Sequence, residues 1–137
     1  MRIVNFLAGL SSVVTILAFV LGLWQFWETQ SLAQENLANE REMKAVELFV
    51  KFNEVQEKLT EGGKKIEDIG YWSGNGLVAI AESISNLTHG NRSWDSTVRW
   101  MLDELAPFLI KNQPDCRTYS PSFVALLRSR SEPLCAG

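Results

Sequence analysis

Residues that carry catalytic or metal chemistry are scarce in this sequence. It has one histidine, His89, and two cysteines, Cys116 and Cys135. A structural zinc site takes four such ligands and a catalytic one usually three. These residues are too few and too scattered to form either. The cysteines are also too far apart for a Cys-x-x-Cys redox pair. Ser73-Gly74-Asn75-Gly76 has two glycines, but not the longer glycine spacing and Lys-Ser/Thr of a phosphate loop. No cofactor is implied, and the chain does not read as an enzyme. A small enzyme using His89 or Cys116 is the catalytic alternative, and no recognisable nucleophile elbow accompanies either residue. Basic charge is not in excess: 13 Lys and Arg stand against 16 Asp and Glu, a net of −3. Nothing in that balance suggests a nucleic-acid partner, which would favour a clustered basic face. Period-two alternation of useful length is missing as well, which excludes a sheet-based fold.

Charge itself is absent from residues 3–27. At about 1.5 Å per residue in a helix, this stretch reaches roughly 37 Å, enough to cross a bilayer core of about 30 Å. Its polar members, Ser11, Ser12 and Thr15, can bond back to their own helix. Trp24 and Trp27 flank Phe26 at the far end, where indole rings favour the headgroup interface. A buried soluble helix is rarely apolar all round for this length. A peripheral helix would need a polar face. A cleaved leader is the stronger competitor, because Ser31-Leu32-Ala33 has the small-x-small pattern of a cleavage site. The apolar region, however, exceeds the usual ~7–15 residues, and bulky Trp24, Phe26 and Trp27 crowd that site. The expectation is a retained anchor over residues 1–27. Ala18 and Gly22 form a small-xxx-small pair that would let a second membrane helix approach closely.

The remainder reads as helical. Residues 28–42 contain no Gly or Pro and are rich in helix formers, which predicts a helical stalk continuing from the anchor. Ala45, Leu48, Phe49, Phe52, Val55 and Leu59 then repeat at helical spacing. Glu47–Lys51 and Glu54–Lys58 lie elsewhere on the helix in the favourable i, i+4 order. Gly62-Gly63 stops this helix. Residues 64–72 predict a short helical turn with Ile66, Ile69 and Trp72 spaced by three. Ser73-Gly74-Asn75-Gly76 reads as a turn, followed by a helix over 77–87 that Gly90 closes. Ser93 reads as the N-cap of the next helix, with Trp94, Val98, Met101, Leu105 and Phe108 facing inward. Pro107 predicts a kink or an early end there. Ser120-Pro121 starts a last helix bearing Phe123, Leu126 and Leu127, and residues 129–137 read as a loosely ordered tail.

The expected fold is therefore all-α: one transmembrane helix (1–27), a helical stalk (28–42) and a small soluble domain of four to five helices (43–137). Trp94 belongs to its core by helical position. Trp100, beside Arg99, projects away from the Val98–Met101 face, so Arg99 and Trp100 are the candidate partner surface; the alternative is a core wide enough to take Trp100. Cys116 and Cys135 form a disulfide in an oxidising compartment and remain thiols in a reducing one. Arg41 and Lys44 follow the span and Arg2 precedes it. By the positive-inside rule this count leans toward a cytoplasmic domain, and the lean nearly vanishes if the amino terminus is counted.

The run Trp94-Asp95-Ser96-Thr97-Val98-Arg99-Trp100-Met101-Leu102-Asp103-Glu104 leads on to Cys116-Arg117-Thr118-Tyr119 and Phe123. Taken with the N-terminal anchor and the helix over 45–59, it resembles uncharacterised bacterial single-pass membrane proteins with a short helical domain. The resemblance implies an anchor-plus-domain architecture in a bacterial inner membrane. It carries no functional residues. The functional expectation is a non-enzymatic interaction module, an accessory subunit of a larger membrane assembly. Its partners would be the lipid bilayer and either other membrane subunits or a second copy. The alternative is a defence or stress effector that oligomerises through its membrane helix and perturbs the bilayer.

Overall fold

The structure, a computed structural model, describes residues 2–130 and 134–135, with side chains described from residue 13 onward. Four α-helices are described: α1 (Arg2–Leu59), α2 (Tyr71–Leu87), α3 (Arg92–Lys111) and α4 (Pro121–Arg128). Short 3-10 turns cover Glu61–Gly63, Ile66–Asp68 and Cys116–Thr118. Among the described residues there is no strand. The chain divides into two compact units, Met1–Glu40 and Arg41–Gly137.

The first unit is the N-terminal part of α1, and the helix continues unbroken through residues 28–42. The second unit holds a hydrophobic core. From α1 it takes Ala45 and Phe52, both fully buried, with Leu48, Phe49, Val55 and Leu59 packed against them. This is the stripe that the helical period places on one face. Gly62 and Gly63 follow with φ of 75° and 80°, left-handed conformations that end the helix and that Gly adopts without steric cost.

α2 and α3 pack against each other, the turn Ile66–Asp68 lies on α3, and α4 lies on α2. α2 contributes Leu77, Val78, Ala81 and Ile84, all fully buried. α3 contributes Val98, Met101, Leu105 and Phe108 from the predicted face, together with Leu102 and Leu109. α4 contributes Phe123 and Leu127. Trp94 is partly buried on this core and meets Phe49 edge-on, ring centroids 6.4 Å apart.

Several local expectations are corrected. α2 starts at Tyr71, so Ser73-Gly74-Asn75-Gly76 is helical and not a turn. The reason is long-range: a Cβ at Gly74 would overlap the ring of Phe108 on α3. Glycine is required there for close approach of two helices, not for chain reversal. Asn75 also donates from Nδ2 to the Tyr71 carbonyl at 3.0 Å, a bond within the turn it forms. Trp72, expected on the Ile66–Ile69 face, is instead 84% exposed on the first turn of α2. α3 does not end at Pro107 but runs on to Lys111. Burial of Phe108 and Leu109 outweighs the one backbone donor that proline removes. The cap of α3 is Asn91, whose side chain accepts from the Ser93 N–H at 3.1 Å. Ser120 and Pro121 do begin α4, at the cap and first helical positions. Of the expected loose tail, residues 131–133 and 136–137 lie outside the described residues. Leu134, by contrast, is only 3% exposed and belongs to the core.

Two glycines about half a turn apart, on opposite faces of α2, therefore have opposite requirements. Phe108 is fully buried and its ring cannot swing away from Gly74. Gly74→Ala should cost about 1–3 kcal/mol through overpacking. A Cβ at Gly76 meets nothing within 4 Å, so Gly76→Ala should stabilise α2 by about 0.5–1 kcal/mol. Urea denaturation of the two variants measures both effects. Equal midpoints would contradict the Gly74–Phe108 contact.

Candidate functional site

Two places are built in a way that asks for a function: the apolar stretch of α1 and the corner that carries the cysteines. In the first, residues 13–24 together with Phe26 and Trp27 are exposed without exception. Among the described residues α1 is the one helix long and apolar enough to cross a membrane, and none of its apolar window is buried. A soluble core helix with these residues would be covered by its own domain. Each large apolar side chain left bare forgoes about 1.5–3 kcal/mol of burial. Helical backbone satisfies its own polar groups, which any segment in hydrocarbon requires. Ala18 and Gly22 are exposed, and a Cβ at Gly22 would meet nothing within 4 Å. Trp24 and Trp27 are exposed too, Trp27 at 74%. Thr29, two residues beyond, bonds back to the Gln25 carbonyl at 2.8 Å.

The second place is assembled from the turn Cys116–Thr118 and the described end of the chain. Asp115 organises the turn. Its carboxylate accepts from the Arg117 backbone N–H at 3.2 Å and from the guanidinium Nε at 3.0 Å and Nη2 at 3.2 Å. Its carbonyl accepts from Thr118 Oγ1 at 2.7 Å. The side-chain bond from Arg117 is the largest cause holding the Asp115 carboxyl below its ordinary range, and the same bond raises Arg117. Cys116 is thereby presented to Cys135, and the two form a disulfide with Cα atoms 5.7 Å apart. Next to it Leu134 fills the core, and Arg128 Nε donates to the Cys135 carbonyl at 3.2 Å. Arg130 pairs with Asp103 of α3. On the other side, Ser120 donates its N–H to Glu82 at 2.7 Å and its hydroxyl to Asn86 Oδ1 at 3.0 Å. Tyr119 lies half-buried against Phe123, ring centroids 5.5 Å apart. Burial pushes its phenol upward, helped by the negative charge of Glu82.

Arg99 and Trp100 are both exposed, and each touches a different neighbour. Arg99 Nη1 reaches Ser129 Oγ, at the end of α4, at 3.5 Å. Trp100 meets Phe49 of α1 edge-on at 6.0 Å and remains 43% exposed. Its surroundings are thus intermediate between core and partner surface. His89 is exposed in the turn between α2 and α3. Among the described residues no three His, Cys, Asp or Glu side chains lie close enough to hold a metal ion. An exposed Tyr71–Trp72 pair, rings 5.3 Å apart, was not anticipated. Nothing in the local sequence separates it from a core pair, because its exposure follows from how α2 is rotated on α3.

The disulfide closes a loop that contains all of α4, and it holds Leu134 in place. By the chain-entropy estimate a loop of this size is worth about 3 kcal/mol. Cys116→Ser should lower stability by that order, and thiol alkylation of the unreduced, denatured chain should label neither cysteine. Full labelling of both would show that the bond does not form. No family model, curated protein or solved structure matches this chain.

Proposed function

We propose that this chain is a membrane-anchored helical interaction module, an accessory subunit of a larger membrane protein complex. The observation that carries this reading is the apolar stretch over residues 13–27, which is exposed throughout among the described residues. Lipid is the partner that suits a helix apolar on every side. Trp24 and Trp27 would sit at the headgroup level on one side of the span. The helical unit over residues 41–137 would present its exposed faces to other subunits.

The membrane is the bacterial inner membrane on this reading, crossed once. The bonded cysteines favour the oxidising side for the helical unit, because a reducing cytoplasm would keep them as thiols. This outweighs the lean from Arg41 and Lys44 over Arg2, which the amino terminus nearly cancels.

A second reading draws on Gly22, whose open surroundings leave room for a close helix contact. In that case the span self-associates and perturbs the bilayer as a defence or stress effector. Overexpression should then depolarise cells, and Gly22→Leu should relieve the effect.

Full-length protein should stay with membranes through alkaline carbonate extraction and should co-purify with other subunits in mild detergent. N-terminal sequencing of the membrane-bound form should begin at or beside Met1. A chain found in the aqueous fraction, or starting near Ala33, would remove the anchor. A monomer recovered alone from native membranes would remove the interaction role. In intact spheroplasts an external protease should reach the helical unit; complete protection would return it to the cytoplasm.

A further inference from the structure

α1 carries a second uncovered surface outside its apolar stretch. Steps of three and four from Thr29 give Leu32, Asn36, Asn39, Met43, Val46 and Val50 in the sequence. This is the spacing of the a and d positions of a coiled-coil heptad, with Thr29, Asn36, Met43 and Val50 at a. Every one of these residues is exposed, Met43 at 72%, Val46 at 48% and Val50 at 49%. They are distinct from the residues that α1 gives to the core. Ala45, Phe52 and Leu59 occupy c positions, Leu48 and Val55 occupy f, and Phe49 at g borders the two sets. Four of the seven, Leu32, Met43, Val46 and Val50, are apolar and exposed, and the core takes other residues of this helix.

The charged flanks of the unused set are of one sign, with Ala33 at one e position and Phe49, which packs on the core, at the last g position. Glu28, Glu35 and Glu42 take g positions, and Glu40, Glu47 and Glu54 take e positions. Of these, Glu47 has Lys44 beside it at 3.3 Å on its own helix. In a parallel pair, g of one helix faces e of the next heptad on the other, and this pairing sets partner choice. Two copies of this chain would set Glu35 against Glu40 and Glu42 against Glu47. Such like-charge pairs oppose self-association and act against the wrong partner. Asn36 at an a position favours a single register and a two-stranded pair.

We infer that residues 29–50 of α1 bind, in a parallel two-stranded coiled coil, a helix of a different protein with Lys or Arg at its e and g positions. The inference rests on the interaction-module reading and supplies its surface and the chemistry of its partner.

The test uses the full-length chain in mild detergent and a labelled synthetic peptide of residues 28–54. The probe carries Glu28→Lys, Glu35→Lys, Glu40→Lys, Glu42→Lys, Glu47→Lys and Glu54→Lys; the control keeps all six glutamates. The basic probe should bind about tenfold or more tighter than the control, as expected when several exposed ion pairs replace like-charge pairs. Val46→Lys with Val50→Lys in the full chain should abolish that binding while helicity by circular dichroism is kept. Separately, Glu35→Lys with Glu42→Lys in the full chain sets lysines against the glutamates of a second copy and should create a dimer absent from the unsubstituted chain. Equal binding of the two peptides, no binding of the basic one, or no gain of dimer in the double variant would each overturn the inference. So would an unsubstituted dimer that Val46→Lys dissolves. Subunits that still co-purify with the Val46→Lys, Val50→Lys chain would refute this surface and leave the module reading intact, whereas absence of any subunit partner would refute the module itself.

Discussion

Over residues 13–27, α1 offers apolar surface that the folded chain leaves exposed. Its side chains over residues 13–27 are apolar on every side of the helix and bare in the folded chain. A globular core normally removes such residues from solvent, and here the core forms elsewhere, from Ala45 onward. The same helix therefore supplies two apolar populations. One packs against α2, α3 and α4 as protein interior does. The other stays exposed in a helix long and apolar enough to cross a membrane, with its backbone polar groups already paired within the segment.

Within the helical unit, the close approach of Gly74 to Phe108 is what lets α2 begin at Tyr71 and lie against the C-terminal half of α3. That half persists beyond Pro107 because Phe108 and Leu109 are buried by it. Lys111, at the end of α3, pairs with Asp68 of the preceding turn at 3.3 Å. This pair is exposed on both sides, so it contributes orientation more than stability. The larger share of the binding between elements is apolar contact.

Much of this was legible in the sequence. The stripes at 45–59, 77–84, 98–108 and 123–127 are local patterns, and a local pattern with the right period forms a helix whatever it packs against. Caps next to proline, such as Ser120 before Pro121, are local as well. What escaped were features decided across the chain. Gly74 and Gly76 look like a turn because two glycines usually are one; only the ring of Phe108, far along the sequence, makes the first of them a packing residue. The tail looked loose because it has no helical period, and the place of Leu134 in the core goes with the bond from its neighbour Cys135 to Cys116. Arg99 and Trp100 are neighbours in sequence but turn toward different elements, Ser129 in one case and Phe49 in the other. For the candidate surface, the apolar span was plain from composition, whereas the exposure of Met43, Val46 and Val50 depended on which face of α1 the core takes.

The bond between Cys116 and Cys135 has a topological effect apart from its energy. It turns the segment that includes α4 into a closed covalent ring. An open C-terminal helix of eight residues is the kind of element that neighbouring protomers trade, each lending its copy to the other. A ringed helix cannot be lent alone, because the turn Cys116–Thr118 must travel with it. Oxidation thus makes α4 and that turn one piece, and any exchange would have to carry the whole ring and draw Leu134 out of the core.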